Sequence, residues 1–220
     1  MKVLLLRPEG SEIPYNSEIH IVNIPVLSPV CVDHILPINP EAIGFTSVNA
    51  VKCFKYFDKI RSNTRIYAVG PSTAKAIEKL YRDKGVRIPD TYTVDSMVKK
   101  ILEDFKDQAN IALVRSKVGY ERDKGTYPNI VQIVDYDLII NHENLREVKE
   151  LLSKCEYEFV VVTSSLIAKL VRDYIKECTK VISIGPSTTK ALEGVNNIYE
   201  AKEHDMDGVF TLLKELLRDD

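Results

Sequence analysis

The sequence predicts an α/β protein of two similar doubly wound parallel-sheet domains joined by a two-stranded β-ribbon hinge. Three observations lead there. Short, near-continuous aliphatic runs alternate with amphipathic stretches of helical period, the pattern of strands covered on both faces. One block of motifs occurs twice, once in each half of the chain. The chain has 220 residues, 45% hydrophobic and 28% charged. That is enough for two globular domains of roughly 100 residues each, and it excludes a disordered chain.

The elements follow in order. Strands are expected at Val3–Leu6, Ile43–Phe45, Arg65–Val69, Ile111–Val114, Val131–Val134, Phe159–Val162 and Val181–Ile184, each an apolar run bounded by polar or turn-forming residues. Between them, Ala50, Val51, Phe54, Phe57 and Ile60 share one helical face. Met97, Val98, Ile101, Leu102 and Phe105 form a second stripe. Leu166, Ile167, Leu170, Val171, Tyr174 and Ile175 form a third, and Val209, Phe210, Leu212, Leu213, Leu216 and Leu217 a fourth. Stripes of this width are core faces of helices.

The repeat is specific in its order. Phe45-Thr46-Ser47 opens a helix, and Val69-Gly70-Pro71-Ser72-Thr73-Ala74 follows, with 23 positions from Ser47 to Gly70. Val162-Thr163-Ser164 opens another, and Ile184-Gly185-Pro186-Ser187-Thr188-Thr189 follows, with 21 positions from Ser164 to Gly185. Leu6-Arg7 and Val114-Arg115 also correspond, each at a strand end. Such a duplication means two α/β units rather than a solenoid. Two segments suit crossings between units: residues 24–29, which hold two prolines, and the extended run 131–137. If the first strand belongs with the second half, residues 1–25 plus 137–220 form one domain and residues 28–133 the other. Two sequential halves fit the sequence equally well.

Composition narrows the function. Thirty Lys and Arg against 32 Asp and Glu give a net charge of −2, which argues against a general nucleic-acid binder. No apolar run approaches the roughly 20 residues of a membrane span. The opening MKVLLLRPEG is too short for a signal peptide, so a cytoplasmic protein is expected. Cys31, Cys53, Cys155 and Cys178 are scattered, as are His20, His34, His142 and His204, so no metal site is expected. The cysteines read as unpaired thiols in a reducing compartment.

The Gly-Pro-Ser-Thr turns combine a glycine that lets a ligand approach, a proline suited to a helix's first turn, and capping hydroxyls. In a parallel sheet they and the Thr-Ser openings lie at the carboxyl ends of strands, where ligands bind. Helix starts of this kind favour anions, and four of them suit an extended polyanion. No phosphate-binding loop or dinucleotide fingerprint is present, which disfavours a nucleotide or sugar-phosphate transferase.

Taken as an ordered set, Leu6-Arg7-Pro8, Phe45 to Val51, Val69 to Ala74, Asp135-Tyr136-Asp137, Thr163-Ser164 and Ile184 to Thr188, with a closing Asp-Gly helix, resemble the uroporphyrinogen-III synthase family across essentially the whole chain. Thr189 departs from the alanine usual there, and Ile167 stands opposite Ala50. The resemblance implies two α/β domains, a two-stranded ribbon, and an active site in the cleft between the domains. It implies closure of the linear tetrapyrrole hydroxymethylbilane with inversion of the last ring and loss of water, without a cofactor. A monomer is expected, because the sequence shows no long uninterrupted apolar surface. The resemblance carries Tyr136 over as the catalytic candidate, its phenol a proton donor to the departing hydroxyl. Thr46, Ser47, Thr73, Ser164, Ser187 and Thr188 become substrate-binding candidates, with Arg7, Arg115 and Lys117 for the substrate's carboxylates. The rival reading is a non-catalytic two-lobed module that senses a tetrapyrrole or other anion.

Overall fold

Strand β1 (Lys2–Leu6) is apolar from Val3 onward, and all four of those side chains are buried. Such a strand has to lie inside a sheet covered on both faces. It pairs in parallel with β2 (His20–Asn23) on one side and with β8 (Phe159–Val162) on the other. Parallel strands β9 (Lys180–Ser183) and β10 (Ile198–Glu200) complete the order β10-β9-β8-β1-β2. The structure is a computed structural model and describes residues 2–9, 19–81, 85–105 and 109–218.

The chain divides into two units. Unit 1 comprises Met1–Ser28 and Ile139–Asp220, and unit 2 comprises Pro29–Leu138. In unit 1, helix α8 (Met206–Arg218) seats Val209 and Leu213 on the sheet face formed by Val3, Leu5, Phe159, Val161 and Ile182. Leu4, Leu6, Val160 and Val162 on the other face are equally buried. So are Val148 and Leu152 of α5 (His142–Ser153) and Ile167 and Val171 of α6 (Ser165–Val171).

Unit 2 repeats the plan. Strands β4 (Ala42–Phe45), β5 (Arg65–Ala68), β6 (Ile111–Ser116) and β7 (Val131–Ile140) run parallel, and β3 (Leu27–Cys31) flanks β7, in the order β3-β7-β6-β4-β5. One face packs Ala50 and Val51 of α1 (Val48–Cys53) and Ala74 and Ile77 of α2 (Pro71–Tyr81) on Ile43, Phe45, Ala68 and Val114. The other packs Met97, Val98 and Ile101 of α3 (Val94–Phe105) on Ala42, Tyr67 and Leu113.

The correspondence extends to hydrogen bonds. β9-β8-β1-β2 of unit 1 matches β5-β4-β6-β7 of unit 2. Val69 N–H donates to Phe45 C=O just beyond β5, and Ile184 N–H donates to Val162 C=O just beyond β9.

Three expectations change. The Ala50–Ile60 stripe is not one helix: α1 stops at Cys53, Phe54 is extended, and a 3-10 turn forms at Phe57–Lys59. Aromatic packing wins over helical propensity here, with Phe57 stacked on Phe45 at 5.1 Å and Phe54 edge-on to Phe45 at 5.4 Å. In the same way the Leu166–Ile175 stripe divides between α6 and a 3-10 turn at Arg172–Tyr174. The four cysteines are not free thiols: Cys31 is bonded to Cys53 in unit 2, and Cys155 to Cys178 in unit 1. This pairing removes the reason for inferring a reducing compartment. Among the described residues no helix is long and apolar enough to cross a membrane.

Candidate functional site

Both Thr-Ser openings are built alike. After β4, the Thr46 hydroxyl donates to Val114 C=O at 3.2 Å, and Ser47 Oγ accepts from Ala50 N–H at 3.1 Å, capping α1. After β8, the Thr163 hydroxyl donates to Leu6 C=O at 2.8 Å, and Ser164 Oγ accepts from Ile167 N–H at 3.2 Å, capping α6. Each threonine therefore ties its strand end to the neighbouring central strand, β6 or β1. The hydroxyls do local structural work first.

Ser47 differs from Ser164 in having a phenolic neighbour. Tyr136 Oη lies 2.9 Å from Ser47 Oγ, across 89 residues of sequence. Tyr136 is 6% exposed, on β7. Burial raises its pKa, while hydrogen bonds to the hydroxyls of Ser47 and Ser116 pull the other way. The phenol is therefore a proton donor at neutral pH. Ser116 itself caps the short helix α4 (Lys117–Arg122) by accepting from Gly119 N–H at 3.0 Å. Tyr136 and Ser47 are two candidates that the fold brings into contact. Ser116 is a partner that sequence reading missed.

The register between β6 and β7 steps from Arg115↔Val134 to Ser116↔Tyr136, so Asp135 is the extra residue of a β-bulge. The bulge places Tyr136 on the same face as Ile133, against α1. Asp135 is fully buried, and neither carboxyl oxygen has a hydrogen-bond partner among the described residues. Burial pushes its pKa up from 3.8 to about 8. A carboxyl group directly after the apolar pair Ile133-Val134 of a strand was the sequence signal that could have exposed it.

The basic candidates fare unequally. Arg115 is 1% exposed, with its guanidinium hydrogen-bonded to Gln132 Oε1 at 2.9 Å and ion-paired with Asp123. Asp123 is in turn held below the usual carboxylate range by Arg122 and then Arg115. Arg115 is thus a structural cation rather than one presented to a ligand, which corrects its sequence role. Lys117 is exposed, 3.6 Å from Asp137. Arg7 is half-buried just beyond β1.

At the Gly-Pro turns, Thr73 of α2 and Thr188 of α7 (Pro186–Ala191) are both buried, at 4% and 1% exposure, while Ser187 is exposed. Helices α1, α6 and α7 span only six, seven and six residues. The hydroxyls that open α1 and α6 are therefore local caps and strand ties, and the four openings are not equal anion sites.

The profile of the uroporphyrinogen-III synthase (HemD) family matches residues 19–211. The chain belongs to the uroporphyrinogen-III synthase family. A curated protein of Archaeoglobus fulgidus, provisionally named uroporphyrinogen-III synthase, is 27% identical over 231 residues and covers 97% of this chain and 98% of its own. The fold agrees. A crystal structure of uroporphyrinogen-III synthetase from Helicobacter pylori superposes with a TM-score of 0.65 at 19% identity, covering 98% of this chain and all of that one. A mutant uroporphyrinogen III synthase from Thermus thermophilus superposes with a TM-score of 0.57 at 12% identity, covering 100% of this chain and 99% of that one. Members of the family are cyclising lyases of tetrapyrrole biosynthesis acting on a small-molecule substrate.

Proposed function

We propose that this chain closes hydroxymethylbilane to uroporphyrinogen III, inverting the last ring and releasing water, and that Tyr136 is its proton donor. One observation supports this reading more than any other: the hydrogen bond between Tyr136 Oη and Ser47 Oγ at the carboxyl-terminal rim of the unit 2 sheet. In doubly wound sheets, ligands bind beyond the carboxyl ends of the strands.

The chemistry asks little of any one residue. The terminal hydroxymethyl group loses its oxygen as water once that oxygen is protonated, leaving an electrophilic azafulvene. The substituted α-carbon of the last pyrrole then attacks, giving a spiro centre. That carbon's older bond to the neighbouring methylene bridge breaks and re-forms at the unsubstituted α-carbon, which inverts the ring and releases that carbon's proton as the ring regains aromaticity. Tyr136, kept neutral by burial, supplies the first proton, and Ser47 holds the phenol's orientation. The remaining task is to hold a flexible chain so that the substituted carbon wins over the unsubstituted one. Positioning of that kind can supply several kcal/mol. The candidates for that positioning are Thr46, Thr73 and Lys117 in unit 2 and Arg7, Ser164, Ser187 and Thr188 in unit 1, each following a strand of its own unit.

The test is to give the enzyme freshly made hydroxymethylbilane and separate the product isomers. Uncatalysed closure yields the type I isomer, and the expected enzymatic product is type III. Tyr136→Phe should slow type III formation at least about tenfold, less than the roughly 10²–10⁴-fold typical of general acid catalysis because the azafulvene forms readily. Its melting temperature should fall only slightly, because one hydrogen bond worth about 1 kcal/mol is lost. Wild-type turnover at saturating substrate by this variant would make Tyr136 a packing residue. Activity is also expected to survive exhaustive chelation. Loss on EDTA treatment, restored by one metal, would overturn a cofactor-free mechanism.

A further inference from the structure

Each Gly-Pro turn carries a ring laid across its glycine. A Cβ added to Gly70 would come 3.3 Å from both Cβ and Cγ of Tyr92. One added to Gly185 would come 3.1 Å from Cγ and Cδ2 of His204. The two rings occupy the same place in the repeat. Tyr92 stands one residue before Thr93, whose hydroxyl accepts from Ser96 N–H at the start of α3. His204 stands one residue before Asp205, whose carboxylate accepts from Gly208 N–H at the start of α8.

The rings are held on one side and open on the other. Tyr92 is 55% exposed, and the His204 side chain is also 55% exposed. A ring recruited only to fill the turn would bury itself, since an aromatic side chain gains most by losing its water contact. The Tyr92 hydroxyl has no partner among the described residues. His204 lies 4.0 Å from Glu200, whose carboxylate accepts a hydrogen bond from the Thr189 hydroxyl. Ser183 Oγ joins the same chain through Thr189. Both rings therefore sit at the carboxyl ends of β5 and β9, backed by a glycine and flanked by a buried threonine of the adjoining helix.

We infer that Tyr92 in unit 2 and His204 in unit 1 are substrate-contacting platforms, each presenting at the rim of its own unit a ring against which a pyrrole ring lies. The inference rests on the proposed activity and adds to it. The backbone at Gly70 and Gly185 brings each ring close against the strand end, fixing its height. The open face presents a flat π-surface suited to another flat ring. His204 also carries nitrogen donors for the acetate and propionate groups on each pyrrole. A methyl group at either turn would shift the ring from this position by a few tenths of an ångström.

The experiment compares Tyr92→Ala, His204→Ala and Tyr92→Phe with wild type, by steady-state kinetics on hydroxymethylbilane. A separate fluorescence titration uses the stable oxidised product analogue uroporphyrin III as the probe. Loss of an aromatic contact should raise KM, and weaken uroporphyrin III binding, by about two- to tenfold for each alanine variant, with kcat within twofold. Tyr92→Phe keeps the ring and should stay near wild type. Unchanged KM and probe affinity in both alanine variants, with wild type still making the type III isomer, would overturn the platform role while leaving the activity standing. A lowered melting temperature with unmoved KM would likewise make the rings mere turn plugs. If wild type made no type III isomer, the activity itself would fall, and the uroporphyrin III titration would still report whether the rings bind a tetrapyrrole.

Discussion

Unit 1 and unit 2 follow the same plan down to individual hydrogen bonds, yet they place their polar chemistry at different strand ends. In unit 2 the polar cluster stands where Ser47, just after β4, meets Tyr136 on β7, and the Gly70 turn is flanked by Ala68 and Ala74. In unit 1 the corresponding Ser164 caps its helix without a phenol. There the Gly185 turn is polar instead, with Ser183, Thr189 and Glu200 joined in one chain leading towards His204. Duplication supplied two equal scaffolds. Differences at only a few rim positions give unit 2 a serine–phenol pair and unit 1 a chain of hydroxyls and a carboxylate, on cores of the same plan.

The largest effect expected from testing that contrast concerns Asp135, which has no buried counterpart carboxyl in unit 1 among the described residues. Its folded pKa near 8 lies above the ordinary 3.8. Folding therefore favours the protonated form. The carboxyl's contribution is full below pH ~4, shrinks as the unfolded chain ionises, and is gone by about pH 8. Asp135→Asn keeps the shape and removes the ionisation. Its melting temperature should match wild type at pH 4 and exceed it by about 5 °C or more at pH 9. Parallel melting curves for the two proteins across that range would show that Asp135 is not the titrating group.

Next come the disulfides, one per unit, closing segments of similar length at separations of 22 and 23 residues. Chain entropy assigns each about 3 kcal/mol. The double variants Cys31→Ser/Cys53→Ser and Cys155→Ser/Cys178→Ser should lose similar stability in denaturant unfolding. A large loss from one and none from the other would locate the stabilisation in local packing instead.

Smaller still is the kinetic asymmetry of the serines. Ser47→Ala loses both a cap and the phenol's partner, whereas Ser164→Ala loses only a cap. Both should cost about 1 kcal/mol of stability. Only Ser47→Ala should lower kcat, by about three- to tenfold, the equivalent of one hydrogen bond. Equal kcat values would erase the distinction drawn between the two units. The smallest change is Thr189→Ala, which gives unit 1 the residue unit 2 carries at Ala74. It should cost about 1 kcal/mol in thermal unfolding for the lost hydroxyl contacts, with kcat unmoved.

How much of this was legible in the sequence depends on range. The buried strands β1, β4, β5, β6, β8 and β9 announce themselves, because parallel strands covered on both faces need uninterrupted aliphatic residues. β2, β3 and β10 do not: they are short, partly exposed and carry His20, Ser28 or Glu200 within them. The Thr-Ser and Gly-Pro turns were legible because each rule is local. The contact of Tyr136 with Ser47 was not, because it depends on a bulge at Asp135 that shifts which face the tyrosine occupies. Arg115 misled for a related reason. Its partner Asp123 lies eight residues on, beyond a helix too short to show a period.

The central position of β1 also has a consequence in time. Leu4 pairs with Val160, and the chain between them includes all of unit 2. At synthesis rates of about 5–20 residues per second, β1 leaves the ribosome on the order of 10–30 s before β8 can join it. Through that interval its Val-Leu-Leu-Leu edge has only short β2 as a sheet partner, and two strands do not hold a sheet in water. Unit 2, being continuous in sequence, has everything it needs to fold within the wait. The order of birth is thus set: the domain inserted in the middle matures first, and the one that opens the chain is the last to be completed.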